Sequence, residues 1–237
     1  MRALFITVFL AASCASFAQE NSWRSLVFEG AGIRGIAYAG VIKKLEEKKL
    51  MPQISRVGGT SAGAITALMV SLGYNSQEVY KLIGETEFGD FNDGRYFFIG
   101  GFRRLSKKYG WYRGEKFQHW LDEVILAKTG NPNITFAQLH DQKFRDLYVT
   151  GTSLNRQRLL IFSYETYPEM RVSDAVRISM SVPLYFEAKY IDAKGAIVPK
   201  PAGTDSLDLV VDGGITGNFP IWMFDQTDMG KPDNKTR

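Results

Sequence analysis

The sequence contains few of the residues on which much enzyme chemistry depends. Among its 237 residues there is one cysteine, Cys14, and there are two histidines, His119 and His140. If the N-terminal segment is cleaved as described below, the mature chain has no cysteine. That excludes disulfide bonds, thiol catalysis and thiolate metal ligands from the mature protein. Any histidine-dependent chemistry would have to use one of the two histidines.

Neither sign of charge strongly dominates the sequence. The chain also contains no long apolar run and no low-complexity tract. The formal net charge is +4, spread along the chain, and the composition is 45% hydrophobic and 23% charged. This is the composition of a globular protein, with a mild preference for anionic surfaces and no indication of nucleic-acid binding. No linker or internal repeat divides the mature chain, which predicts one sizeable domain.

Residues 1–18 have the pattern of a signal peptide. Arg2 is followed by an apolar stretch over residues 3–12 and by small residues up to Ala18, which ends a small-x-small cleavage site. The apolar stretch is too short for a permanent membrane-spanning helix. We therefore expect an exported protein, either periplasmic or secreted. A lipid anchor at Cys14 is the weaker alternative, because the leucine expected three positions before the cysteine lies one place early.

Short apolar segments alternate with helical patterns through the first half of the chain. This alternation predicts βαβ units with right-handed crossovers and a parallel sheet. The helix of residues 173–182 is expected to be capped by Ser173 or Asp174 and to end before Pro183. The predicted strands are residues 25–28, 53–57, 146–155, 157–165 and 207–211, and the helices include residues 62–75 and 173–182.

A glycine-rich turn joins the second predicted strand to an uncharged helix, and it matches the G-x-S-x-G pattern. In such a nucleophile elbow the glycines permit a sharp turn that presents the central serine, here Ser61, above the sheet. The N-terminus of the following helix favours negative charge that develops beside that serine. The pattern predicts a nucleophile, although a plain strand-to-helix turn of small residues would look similar. Its residues are Gly59, Thr60, Ser61, Ala62 and Gly63.

A second glycine-rich turn follows the first predicted strand and matches G-x-G-x-x-G. A dinucleotide-binding site would need an acidic residue at the end of the second strand, but that strand leads to the serine turn instead. A loop of small residues at a helix start can hold an oxyanion through its backbone amides. The loop comprises Gly30, Ala31, Gly32, Ile33, Arg34 and Gly35, and its candidate donors are the amides of Gly32, Ile33 and Arg34.

The base that activates the serine is predicted to be Asp212. A serine–acid–histidine triad requires a histidine after the acid, yet neither His119 nor His140 follows Asp212. His119 lies in an amphipathic helix and His140 in a polar turn, positions typical of structural or surface residues. Asp212 ends an apolar strand before Gly213-Gly214, a placement typical of catalytic side chains at the carboxyl edge of a parallel sheet. It would accept the serine proton directly and later activate water.

These three turns resemble, in order and spacing, the motifs of the patatin-like phospholipase family. "GAGIRG" is similar to its oxyanion loop, "GTSAG" to its nucleophile elbow and "DGG" to its base motif, with further likeness over residues 109–117 and 179–186. Ala31 departs from the commoner glycine. The resemblance implies a three-layer α/β/α domain over residues 24–237, with a mainly parallel central sheet. It also implies hydrolysis of lipid acyl esters without metal or cofactor, by Ser61 and Asp212.

Two other functions remain open at this point. One is a triad esterase whose histidine lies beyond residue 237, and the other is a lipid-binding module without catalysis. Lipid or phospholipid is the expected partner, with transient membrane contact through residues 96–117. Aromatic residues are interleaved there with basic ones. Because the resemblance implies a further strand and helix after the "DGG" segment, we also expect the domain to lack its C-terminal elements. The basic residues are Arg103, Arg104, Lys107, Lys108 and Arg113.

Overall fold

The structure is a computed structural model that describes residues 24–93, 105, 109–199 and 206–224. The predicted signal peptide lies outside the described residues. So do four of the five basic residues of the predicted membrane-contact segment, of which only Arg113 is described.

Strands and helices alternate as predicted in the first half of the chain. The strands are β1 (Ser25–Phe28), β2 (Arg56–Gly59), β3 (Gly110–Tyr112), β4 (Asp146–Ser153), β5 (Arg158–Phe162), β6 (Leu184–Phe186), β7 (Lys189–Ile191), β8 (Ile197–Val198) and β9 (Asp208–Asp212). The α-helices are α1 (Tyr38–Glu47), α2 (Ala62–Ser71), α3 (Ser76–Gly84), α4 (Glu115–Thr129), α5 (Phe136–Asp141) and α6 (Val172–Ser179).

The main sheet of the described residues has seven strands in the order β1-β2-β4-β9-β7-β8, with β5 also paired to β4. Strands β1, β2 and β4 are parallel, as the alternation predicted. Strand β9 is antiparallel to β4 and to β7, so β7 points the same way as β4. Four strands therefore share one direction, while β5, β8 and β9 run against them. The sheet is mixed around a parallel group that carries the serine turn.

The core lies between one face of the sheet and the helices. Helix α2 is buried along its whole length, as its lack of charge predicted, and it packs against β1, β2 and β4. The opposite face, around Tyr148 and Ile161, is covered by the short 3-10 helix Ile221–Phe224. Among the described residues, α-helices therefore pack on one face of the sheet and this short 3-10 helix packs on the other.

Several local predictions differ from the structure, including the ends of helix α6, at Ser179, and of strand β5, at Phe162. Strand β2 begins at Arg56, because Met51–Gln53 form a 3-10 turn. Helix α2 ends at Ser71, since Gly73 adopts a left-handed φ of 78° that terminates it. Helix α6 begins one residue before Ser173, with Arg171 at its N-cap, so neither Ser173 nor Asp174 caps it. His140 lies within helix α5 and not in a turn.

Candidate active site

Ser61 lies in a strained turn between β2 and α2. Its backbone has φ 55° and ψ −125°, a conformation that a non-glycine residue rarely adopts. Two glycines allow the turn to lie very close to neighbouring backbone atoms. A Cβ at Gly59 would lie 2.3 Å from the Gly63 carbonyl oxygen, and one at Gly63 would lie 2.4 Å from the carbonyl oxygens of Phe28 and Glu29. The turn therefore requires glycine at both positions.

Hydrogen bonds from neighbouring elements hold this turn in place. The Ser61 amide donates to the hydroxyl of Ser179, at the end of α6, over 2.9 Å. The Thr60 hydroxyl pairs with the hydroxyl of Thr150 in β4 at 2.7 Å. The Ser61 hydroxyl is 3.5 Å from the sulfur of Met180. Ser179 and Met180 were not identified from the sequence as site residues, although both lie in the "SMSVPLYF" segment that carries part of the family resemblance.

Asp212 is carried to the serine turn by β9, a strand that runs in the opposite direction to β2. Gly59, at the end of β2, is level with Val149 of β4, and Asp212 is level with Gly151. Because β5 occupies the other edge of β4 along Val149–Ser153, β2 and β9 share one edge and meet end to end. Asp212 therefore lies at the carboxyl edge of the parallel strands β1 and β2, as predicted. The strand that carries it, β9, is antiparallel to them, and this the prediction did not include.

The Asp212 carboxyl group is buried and hydrogen-bonded. It is 5% exposed, and its Oδ1 accepts the Gly214 amide at 2.7 Å. Burial raises the pKa of Asp212 above its ordinary value, because the charged form loses hydration. The Gly214 amide and the nearby Ser61 side chain oppose this shift. The Asp212 carboxyl group thus lies beside the serine turn in surroundings that disfavour its charged form.

The predicted oxyanion loop forms the start of the 3-10 helix Gly32–Ala37. The amides of Gly32 and Ile33 are the first two of this helix, where no helical carbonyl is available to them. The Arg34 amide instead donates to the Ala31 carbonyl at 3.1 Å. Arg34 is therefore wrong as a predicted amide donor, because the 3-10 turn uses its N–H. Its side chain is exposed.

Asn218 joins the oxyanion loop to the segment that follows Asp212. The Gly30 amide donates to the Asn218 carbonyl at 3.0 Å, and the Asn218 side-chain amide donates to the Gly30 carbonyl at 2.9 Å. This pair fixes the loop relative to Asp212, which lies six residues before Asn218. Sequence reasoning missed Asn218, whose sequence signal is a polar residue between Gly217 and Phe219 shortly after the base motif.

An apolar cavity of about 210 Å³ opens beside the serine turn. The oxyanion loop and the first turns of α2 form one wall, and aromatic side chains from three other segments form the rest. With the exception of the Tyr185 hydroxyl, its lining side chains are apolar. The lining residues are Gly32, Ile33, Gly35, Ala62, Ile65, Ile83, Phe88, Phe91, Phe117, Met180, Tyr185 and Phe186.

Arg177 supports the wall of this cavity from behind. Its guanidinium lies over the Phe186 ring at 4.8 Å and donates to the carbonyl of Gly114 and the hydroxyl of Ser181. The Ser181 carbonyl in turn accepts the Asp212 amide at 3.0 Å. Burial lowers the pKa of Arg177 to about 10, because the charged form loses hydration. Sequence analysis did not single out this residue.

Neither histidine contacts the serine turn. His119 is exposed on α4, with Nε2 3.2 Å from the Glu123 carboxylate. His140 pairs with Asp146 and stacks on Tyr164. Asp146 begins β4, so it lies at the opposite edge of the parallel strands from Ser61. The described residues contain no cluster of three His, Cys, Asp or Glu side chains suited to a metal ion. Their helices are all too short or too polar to cross a membrane.

Fold and site together define a mixed α/β protein with a strained serine turn beside an apolar cavity. A family model of patatin-like phospholipases matches residues 26–225. The match extends over most of the chain, and the chain therefore belongs to the patatin-like phospholipase family. The predicted fold class and family are confirmed.

Known proteins similar to this chain include a phospholipase. YqhO of Bacillus subtilis, itself uncharacterised, is 34% identical over 209 residues, which cover 84% of this chain and 65% of YqhO. A cUMP-AMP-activated phospholipase of Escherichia coli is 35% identical over 219 residues, 86% of this chain and 58% of that protein. The crystal structure of VipD from Legionella pneumophila shares the fold, with a TM-score of 0.57 at 20% identity, covering 82% of this chain and 46% of VipD. This chain spans less than two thirds of the length of the two curated relatives.

Proposed function

We propose that this chain is a lipid acyl hydrolase of the phospholipase A or lysophospholipase type, with a Ser61–Asp212 dyad. The observation that carries the proposal is that Asp212 is buried beside the strained serine turn, where the Ser61 side chain lowers the pKa of its carboxyl group. In a triad the acid holds a histidine, and the histidine contacts the serine. Here the acid lies beside the serine turn and neither histidine does, which favours direct proton transfer.

The geometry supports an acyl-enzyme mechanism. The Ser61 hydroxyl oxygen attacks the ester carbonyl carbon while Asp212 takes its proton. The negative charge on the carbonyl oxygen is stabilised by the amides of Gly32 and Ile33 and by the N-terminus of α2. Asp212 then protonates the departing alcohol or lysolipid, which leaves an acyl ester on Ser61. In the second half, Asp212 removes a proton from water, which attacks that ester, and Asp212 returns the proton to the Ser61 oxygen as the fatty acid is released.

The cavity is suited to the acyl chain and not to the head group. Ligand pockets for whole small molecules measure roughly 300–1,000 Å³, whereas this cavity measures about 210 Å³ and is lined by apolar side chains. An acyl chain that enters beside Ile33 and Ala62 would place its ester at the serine turn. The head group would then remain outside, at the mouth of the cavity.

Labelling with a fluorophosphonate tests this proposal. We expect the probe to modify Ser61 in the parent chain and in His119→Ala and His140→Ala, but not in Ser61→Ala. Asp212→Asn should abolish most ester hydrolysis, and the Ser61→Ala, Asp212→Asn double variant should be little worse than either single one, because the two residues act as a unit. Near-normal turnover in Asp212→Asn would point to a triad esterase. A folded chain that binds lipid without labelling would be a binding module.

The setting of the reaction is part of the same proposal. A signal peptide over residues 1–18 would export the protein, and the basic and aromatic residues of segment 96–117 would add transient contact with an anionic membrane. Fractionation of a bacterium that expresses the chain, with N-terminal sequencing of the product, tests export. A cytoplasmic product that keeps its N-terminus would contradict it.

A further inference from the structure

Exposed apolar side chains belong to the segments that line the cavity. Ile33 is 86% exposed and Tyr185 is 41% exposed, although both line the cavity. Val182 and Leu184, on the same segment as Tyr185, are 43% and 67% exposed. We call these four residues the apolar rim. Phe219, which follows the residue that bonds Gly30, is also exposed. Large apolar groups gathered at one site on a surface indicate an interaction surface.

Leu184 is held in a conformation that its side chain disfavours. It has a φ of 72°, in the left-handed region, where a branched or bulky residue is an outlier. Its amide donates to the Tyr109 carbonyl at 2.9 Å, and it pairs with Gly110 at the start of the β3–β6 ladder. The strain does not serve to bury the Leu184 side chain, which remains mostly in solvent. Backbone strain of this kind is often found at functional sites.

We infer that the apolar rim inserts into a lipid surface and seats the mouth of the cavity on it. The inference rests on the proposed acyl-hydrolase function. A lipid substrate whose chain enters this cavity must leave its bilayer through the same mouth, and a rim in contact with the bilayer spares the chain from crossing water. A protein docked over the mouth would block that entry. The Tyr185 ring, whose hydroxyl donates to the Asn92 side chain, presents an apolar face beside a polar pair, a combination suited to the interfacial depth.

The test uses the full chain carrying Ser61→Ala, so that vesicle binding is measured without hydrolysis. Leu184→Ser should weaken partitioning into phosphatidylcholine vesicles about tenfold, because one large apolar side chain is lost from the lipid contact. Leu126→Ser is the matched control. Leu126 is 47% exposed on α4, nine residues after the cavity residue Phe117, and its substitution should leave binding unchanged.

Leu184→Gly separates membrane contact from folding. Glycine accepts a φ of 72° without strain, so this variant should unfold at the same or a higher temperature while binding vesicles as weakly as Leu184→Ser. Unchanged binding in both Leu184 variants would overturn the inference. So would equal losses in the Leu126 control, or a self-association of the parent chain that Leu184→Ser abolishes.

The same variants separate the test of the apolar rim from the test of the proposed hydrolysis. With Ser61 restored, Leu184→Ser should hydrolyse a soluble short-chain ester and react with a fluorophosphonate at parental rates. Failure of the parent to label at Ser61 would refute the hydrolase. The vesicle measurements on the Ser61→Ala chain would still decide whether the rim contacts lipid.

Discussion

Replacing Ser179 by alanine tests how the strained nucleophile turn is held. The Ser179 hydroxyl accepts the Ser61 amide at 2.9 Å, and Ser179 is fully buried. Without this acceptor, a buried amide loses its hydrogen bond, which costs about 1–3 kcal/mol of folding free energy. In a domain of this size each kcal/mol lowers Tm by about 2–4 °C. A thermal unfolding curve measures the loss directly.

The same substitution should lower kcat much more than it raises KM. The backbone of Ser61 keeps φ 55° and ψ −125° only while its surroundings impose them. Once the amide is released, the turn relaxes and the hydroxyl moves relative to the ester carbonyl. A displacement of about 1 Å reduces the rate about a hundredfold. The cavity is unchanged, so KM for a soluble ester should stay near the parental value.

Ser173→Ala is the matched control for this experiment. Ser173 lies on the same helix and is equally buried, and its hydroxyl accepts a hydrogen bond from Gln118, which also donates to Asp174. Steady-state kinetics on a soluble p-nitrophenyl ester compare the two variants. If Ser179→Ala kept full kcat, or lost no more of it than Ser173→Ala, the contact would have no role in positioning the nucleophile.

Three further predictions follow from the site. Because burial raises the pKa of Asp212, kcat/KM should fall as the pH drops through that raised value. Asp212→Asn should raise Tm at neutral pH, because the ionised carboxylate destabilises the fold there. This gain in Tm should vanish in acid, where Asp212 is protonated. A flat pH profile, or a lower Tm at neutral pH, would contradict this. Gly63→Ala should lower stability by about 1–3 kcal/mol or more, measured by denaturant unfolding, because its Cβ would meet two backbone oxygens at 2.4 Å. Ile83→Phe should narrow the cavity and shift preference in a p-nitrophenyl ester series toward shorter acyl chains; an unchanged preference would remove Ile83 from the acyl site.

Local chemistry made the serine turn predictable from the sequence alone. A strand, a G-x-S-x-G turn and an uncharged helix follow one another along the chain, so their arrangement depends on residues close in sequence. The flanking glycines are required by steric contacts within that short stretch and with the end of β1. The candidate roles of Ser61 and Gly32 could therefore be proposed before the fold was known.

Contacts between segments that are distant in the sequence determined the remaining features of the site. Asp212 meets Ser61 because β4 extends beyond the end of β2 and receives β9 on the same edge, a register that no local pattern specifies. Ser179, 118 residues after Ser61, binds its amide. Asn218, 188 residues after Gly30, fixes the oxyanion loop. Sequence alone determined which residues could react, because turn chemistry is local. Tertiary structure decided which residues hold them, because partners far apart in the chain meet only when the sheet is assembled.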